Sequence, residues 1–134
     1  MTAGPIRLSI VIPAFNEARR IPTTLEQLTA FLGQRCWDWE IRVVDDGSAP
    51  PVPDHADPRV RVVRHEVPRG PAAARNAGIE VAAAPWTAFL DDDDLWVPEK
   101  LRRQLEAARA MPEAGWVGCG ATLIDERMRR VRSW

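Results

Sequence analysis

Cysteine is scarce in this sequence: Cys36 and Cys119 are the only two, and neither belongs to a C-x-x-C pair. That spacing excludes a disulfide framework and a cysteine-based zinc site. Both are expected to be small, reduced, buried residues. A surplus of positive charge is also missing, since 18 basic residues face 19 acidic ones for a net charge of −1. A nucleic-acid binder would show a basic excess. Lysine is nearly absent, with Lys100 the single example. This arginine bias fits codon usage and points to no function. No apolar run reaches the roughly 20 residues of a membrane-spanning helix. The N-terminus lacks the basic-then-apolar pattern of a secretory leader. The expected location is the cytoplasm, with peripheral attachment at a membrane left open.

Several motifs are absent as well. There is no G-x-G-x-x-G, and no glycine-rich loop followed by lysine. Any phosphate is therefore expected to be held through a metal rather than a glycine cradle. His55 and His65 have no partner at metal-ligand or triad spacing and are expected at the surface. Ser9 and Ser48 have no activating base nearby in sequence, so nucleophilic serine chemistry has no support. The arginines from Arg127 to Arg132 read as a solvated face.

What is present is an alternation of strands and helices. At 134 residues and 46% apolar content, the chain suits one compact domain over residues 1–134. Leu8–Pro13 reads as a buried strand. Glu17–Leu32 reads as a helix with Ile21, Leu25, Leu28 and Leu32 on one face and Pro22 in its first turn. Glu40–Val44 and Val60–Arg64 read as further strands, separated by a proline-rich loop over Ala49–Pro58. Pro71 opens a small-residue helix reaching about Val81. Trp86–Leu90 is a fourth expected strand. A helix from Pro98, with Leu101, Leu105 and Ala108 on one face, and a fifth strand over Trp116–Ile124 follow. The tail from Asp125 shows no clear period. This order predicts an α/β, Rossmann-like, mainly parallel sheet with helices on both faces. Ligands of such sheets bind outside the carboxyl ends of the strands.

Three of the expected strands end in polar or acidic clusters: Asn16-Glu17, Asp45-Asp46 and Asp91–Asp94. Parallel strands bring all three to one edge. Adjacent carboxylates repel and raise one another's pKa values. A hard divalent cation such as magnesium or manganese would relieve that conflict, binding through one or two carboxylates and substrate phosphates. Strand alternation would turn Asp91 and Asp93 to one ion and Asp92 elsewhere. The competing reading is a solvated acidic turn, with Asp94 favouring the next helix N-terminus. Asp45-Asp46-Gly47-Ser48 could accept hydrogen bonds from a nucleotide or simply end a strand. Phe15 could line a base pocket or serve packing.

These residues resemble the family 2 glycosyltransferases of GT-A fold. SIVIPAFNE at Ser9–Glu17, VVDDGS at Val43–Ser48 and FLDDDDLWVPEKL at Phe89–Leu101 carry the resemblance. RGPAAARNAGI at Arg69–Ile79 adds to it. The ordered set spans nearly the whole chain. The resemblance implies that Pro13, Ala14, Phe15 and Glu17 border the base and ribose of a nucleotide-sugar donor, with a UDP-sugar the expected one. It implies that Asp46 contacts the base, that Arg69 lies in a loop approaching the nucleotide, and that Asp92 sits near the ribose. Asp91 and Asp93 match the family's D-x-D, with Asp93 the direct metal ligand, and Asp94 would stand behind them. Asn76 and Trp96 match family positions and read as structural. The implied reaction is inverting transfer of a sugar to an acceptor hydroxyl, assisted by manganese or magnesium.

The family's acceptor-binding segment and its carboxylate base are not matched. Asp125 and Glu126 sit too close to the fifth expected strand, so the catalytic base stays unassigned and the chain is expected to be truncated before that segment. The alternative is a non-catalytic nucleotide-binding module. A phosphoryl-transfer enzyme would place D-x-D after the first strand and need a separate phosphate-binding lysine. A sugar nucleotidylyltransferase would need a glycine-rich, basic first loop, and Pro13–Glu17 is neither.

Overall fold

The computed structural model describes residues 7–133, so residues 1–6, where the leader pattern was sought, and Trp134 lie outside the described residues. The chain divides into two compact units, Met1–Asp94 and Leu95–Trp134.

The first unit contains β1 (Arg7–Ala14), α1 (Ile21–Gly33), β2 (Asp38–Asp45), β3 (Val60–Arg64), α2 (Pro71–Val81) and β4 (Trp86–Phe89). The four strands form one parallel sheet in the order β3-β2-β1-β4. Leu8, Ile10 and Ile12 of β1 pair in register with Trp39, Ile41 and Val43 of β2. All six are at most 4% exposed. Burying a large apolar side chain stabilises the fold by about 1.5–3 kcal/mol each, so these central strands anchor the unit. The connection through α1 runs from β1 to β2, and the one through α2 runs from β3 past both to β4. Right-handed crossovers in opposite directions put the two helices on opposite faces. They also create a topological switch point between β1 and β4, where the carboxyl ends diverge and ligands bind.

The small residues of α2 let it lie close on the sheet. Val11, Val44 and Ala74 form a buried cluster, with Val63 and Ala77 packed against it. A Cβ on Gly78 would stand 2.2 Å from Val11 Cγ1, so only glycine permits this approach. Helix α1 buries the stripe expected of it, Ile21, Leu25, Leu28 and Leu32. It starts at Ile21 rather than Glu17, because the Arg20 and Ile21 N–H groups both donate to the Glu17 carbonyl in a turn first. Pro22 then takes the position where its missing N–H costs nothing.

The second unit holds α3 (Lys100–Ala110) and an antiparallel pair, β5 (Thr122–Ile124) with β6 (Arg130–Ser133). Helix α3 buries Leu101, Leu105 and Ala108. The fifth strand expected over Trp116–Ile124 is corrected here. Only three residues are extended, they pair with β6 in a separate sheet, and Trp116 is 82% exposed. Three glycines within Gly115–Gly120 dilute strand propensity. The Asp125 carboxylate accepts from the Arg127 and Arg129 N–H groups and turns the chain back into the tail. Among the described residues, no helix is long and apolar enough to cross a membrane. Cys36 and Cys119 are exposed, not buried as expected; both lie outside the helices and sheets that form the core.

Candidate active site

The three polar strand ends line one cleft of about 480 Å³, at the switch point. Pro13, Ala14, Phe15, Glu17, Asp46, Asp91, Asp92 and Asp93 all border it. Pro68, Gly70, Pro71, Ala74 and Arg75 complete the wall, from the loop before α2 and the first turns of that helix.

The end of β2 separates two adjacent aspartates. Asp45 is fully buried. Its Oδ1 accepts from the Ser48 N–H at 2.9 Å, and its Oδ2 accepts from the Val52 N–H at 2.9 Å and Arg64 Nε at 3.2 Å. Burial opposes its charge, but the Ser48 side chain, these two N–H groups and Arg64 outweigh burial and hold the carboxyl below its usual range. Asp45 is thus a structural residue that fixes the loop after β2. Asp46 is also buried but borders the cleft. Its Oδ1 accepts from His65 Nδ1 at 2.6 Å and the Arg69 N–H at 2.9 Å, and its Oδ2 accepts from the Gly70 N–H at 2.7 Å. Burial again pushes its pKa up, and His65, Arg69 and Gly70 more than reverse the effect.

His65 is therefore not a surface residue as expected. Its side chain is only 10% exposed, because the chain leaving β3 folds it against Asp46. His55 is half-buried, its Nδ1 accepting from the Asp57 N–H. Arg69 carries an exposed side chain, and its contact with the site is its backbone N–H on Asp46. Gly47, at φ +79°, lets the β2 loop pass Pro68 at a distance a Cβ would violate, 2.7 Å. Asn16 joins the β1 end to the same loop: its N–H donates to Ser48 Oγ and its Oδ1 accepts from the Ala49 N–H. Sequence reading attached no role to Asn16 beyond its place in the first cluster.

The end of β4 is built differently. β4 stops at Phe89, and Asp91–Asp94 form a turn in which the Asp94 N–H donates to the Asp91 carbonyl. The strand alternation expected for these residues does not apply, because the chain has already left the sheet. Asp94 lies six positions before α3 begins, so it does not cap that helix. Arg75 Nη2 donates to both Asp91 oxygens, at 2.8 and 2.9 Å. Asp92 Oδ2 is buried without a hydrogen-bond partner, and Arg20 Nη1 stands 4.0 Å away. Burial raises the Asp92 pKa, repulsion from Glu17 raises it further, and Arg20 only partly offsets them. Asp93 is exposed and takes no hydrogen bond from the described residues. Arg75 was missed by sequence reading. The available signal was its place one helical turn past Pro71, on the residue following the cleft-facing Ala74.

The sequence profile of glycosyl transferase family 2 matches residues 9–133. The chain belongs to glycosyl transferase family 2. It is 41% identical over 107 residues to the succinoglycan biosynthesis protein ExoO of Rhizobium meliloti, covering 77% of this chain and 30% of the relative. It is 32% identical over 102 residues to the Escherichia coli UDP-Glc:alpha-D-GlcNAc-diphosphoundecaprenol beta-1,3-glucosyltransferase WfgD, covering 73% of this chain and 39% of the relative. Among solved structures, the mannosyltransferase PcManGT of Pyrobaculum calidifontis, in complex with GDP-Man and Mn2+, superposes with a TM-score of 0.66 at 23% identity. That match covers 94% of this chain and 37% of the mannosyltransferase chain, and it bears on the fold. The family 2 chain thus spans roughly a third of the length of the curated relatives it matches.

Whether these residues suit a metal can be judged from their donors. Among the described residues, no group of three or more His, Cys, Asp or Glu side chains is placed to hold an ion alone. The cleft offers hard carboxylate oxygens, with Asp93 unengaged and Asp92 Oδ2 lacking a partner. This donor set fits a hard cation held by one or two carboxylates and completed by a substrate's phosphates.

Proposed function

We propose that this domain is the donor-binding part of an inverting glycosyltransferase, which moves a sugar from a nucleoside diphosphate, UDP in the first instance, to an acceptor hydroxyl. One observation carries the reading. The cleft at the switch point is bordered by five carboxylates, Glu17, Asp46, Asp91, Asp92 and Asp93, against Arg75 in its wall and Arg20, which stands 3.5 Å from Glu17 and 4.0 Å from Asp92. A diphosphate enters so negative a cleft only with a cation that offsets both sets of charges. The N-terminus of α2, at Gly70 and Pro71, adds the positive end of a helix dipole to the wall. The name of the WfgD relative includes UDP-Glc, and the mannosyltransferase complex holds GDP-Man with Mn2+. Both support a nucleotide-sugar donor.

In this reading Pro13, Ala14, Phe15 and Glu17 border the base and ribose, and Asp46 accepts a hydrogen bond from the base. Arg69 sits in the loop beside the nucleotide, and Asp92 lies near the ribose. Asp93 would be the direct ligand of a manganese or magnesium ion, together with Asp91, which Arg75 orients. Such an ion would supply Lewis-acid neutralisation of the departing diphosphate. The acceptor oxygen bonds to the anomeric carbon while the bond from that carbon to the diphosphate oxygen breaks. The nucleoside diphosphate leaves with the electron pair, and the acceptor's proton passes to a general base for which no residue is assigned. A single displacement inverts the anomeric centre.

The test is a thermal-shift comparison of UDP and GDP, each with manganese and with a chelator. UDP with manganese is expected to stabilise the chain most. A ligand at about 100 times its Kd adds roughly 2.7 kcal/mol. No shift with any nucleotide overturns the donor-site reading. Equal shifts with manganese and with chelator overturn the part assigned to the metal.

A further inference from the structure

We infer that His65 is a positioning residue for donor recognition: through its Nδ1–H it fixes the Asp46 carboxylate and the His65–Gly70 chain reversal, so that Asp46 can read an imide N–H of a pyrimidine base. The inference rests on the donor-site reading given above. It starts from the way the chain leaves β3. The His65 N–H donates to the Asp45 carbonyl, extending the β2–β3 ladder one residue beyond the last paired position, Arg64. This bond sets the backbone from which the imidazole reaches Asp46. Asp46 is itself anchored by its N–H on the Ala14 carbonyl of β1. Both ends of the contact are therefore held by the sheet.

The carboxylate then gathers the loop. Oδ1 meets His65 Nδ1 and the Arg69 N–H, and Oδ2 meets the Gly70 N–H. An ionised carboxylate can only accept, so Nδ1 carries the proton in this contact. The segment between these donors supplies Pro68 and Gly70 to the cleft wall. A carboxylate offers about four acceptor sites. Three are taken, which leaves one, on Oδ2, for a ligand. Uracil's N3–H is a donor of the kind this site would take. The two backbone donors lie on the loop itself and move with it. His65 is the only one of the three attached directly to the β2–β3 ladder, so it links the loop and the carboxylate to the rigid sheet. Buried polar contacts are where a lost partner costs most.

The test measures calorimetric binding of UDP and of its N3-methyl analogue, both with manganese, to wild type and to His65→Ala, His65→Gln and His65→Asn. Wild type is expected to prefer UDP by about tenfold or more, the equivalent of a hydrogen bond to a charged group. His65→Ala should lose most of that preference. His65→Gln keeps side-chain bulk but carries its amide one methylene too far, and should lose it also, even if the alanine variant folds poorly. His65→Asn places an amide nitrogen where Nδ1 was, and should recover the preference. A loosened loop without this role would weaken both ligands equally and leave their ratio unchanged. An unchanged ratio in His65→Ala and His65→Gln therefore overturns the inference while leaving the donor site standing. Equal binding of the two ligands by wild type overturns base reading by Asp46, and the inference falls with it.

Discussion

At the end of β2, backbone and side-chain donors meet both carboxylates, Asp45 and Asp46, and both groups are held below their usual pKa range. At the end of β4, Asp92 has an oxygen with no hydrogen-bond partner and a raised pKa, Asp93 is exposed, and Asp91 has a bidentate partner in Arg75. The two clusters look alike in sequence, and both lie at the carboxyl ends of parallel strands. One has its charge compensated from within the fold and shapes a loop. The other leaves the Asp92 carboxyl only partly offset, by Arg20, and Asp93 without a hydrogen bond from the described residues. Asp45 and Asp46 are therefore expected to contribute stability, while Asp92 is expected to cost some, the pattern of a residue kept for a ligand rather than for folding.

The sharpest way to break this contrast is to remove a charge from each cluster and compare signs. Asp45→Asn takes a buried carboxylate from two N–H groups and from the half-exposed Arg64, and is expected to cost about 2–4 kcal/mol in denaturant unfolding. Its pH dependence follows from the direction of the shift. The folded pKa lies below the ordinary 3.8. Asp45 therefore contributes its full stabilisation above that value and loses it as pH falls through the lower, folded one. The wild-type advantage over Asp45→Asn should be constant near neutral pH and shrink only in strong acid. An advantage that shrinks already near pH 6 would contradict this assignment.

A smaller effect is expected on binding. Asp46→Ala should weaken uridine and UDP alike by about 1.5–3 kcal/mol, because the lost contact is to the base rather than the diphosphate. Unchanged uridine binding in calorimetry would show that Asp46 only shapes the loop. The smallest effect belongs to the β4 cluster. Asp92→Asn relieves repulsion from Glu17 and Asp93, and should leave the ligand-free chain as stable as before or more stable by about 0.2–1 kcal/mol. A clear loss of melting temperature would place Asp92 with the structural aspartates instead.

Much of the architecture was legible because periodicity reports burial directly. β3 and α2 run over the residues their patterns marked, and the apolar stripes of α1 and α3 are buried as spaced. Glycine-rich sequence was misread over Trp116–Ile124, where isolated apolar residues imitate a strand without the continuity to pair. The convergence of the three strand ends followed from parallel topology alone. What distinguishes Asp45 from Asp46, or Asp91 from Asp93, did not. Those differences depend on which donors arrive from elsewhere in the chain: Arg64 and His65 at the exit of β3, and Arg75 in the second turn of α2. Sequence spacing cannot show that His65, 19 positions from Asp46, lies 2.6 Å from its carboxylate.

The most direct test of the central claim, that the β4 cluster serves a cation shared with a nucleoside diphosphate, is a pair of melting curves for Asp93→Asn beside wild type. One curve is taken in chelator, and the other with manganese and UDP. The account predicts that the amide leaves the chelator curve unshifted or slightly raised, and abolishes most of the gain that manganese and UDP give the wild type. A variant that keeps the full wild-type gain would contradict it, because the cation would then be held without the carboxylate assigned to it.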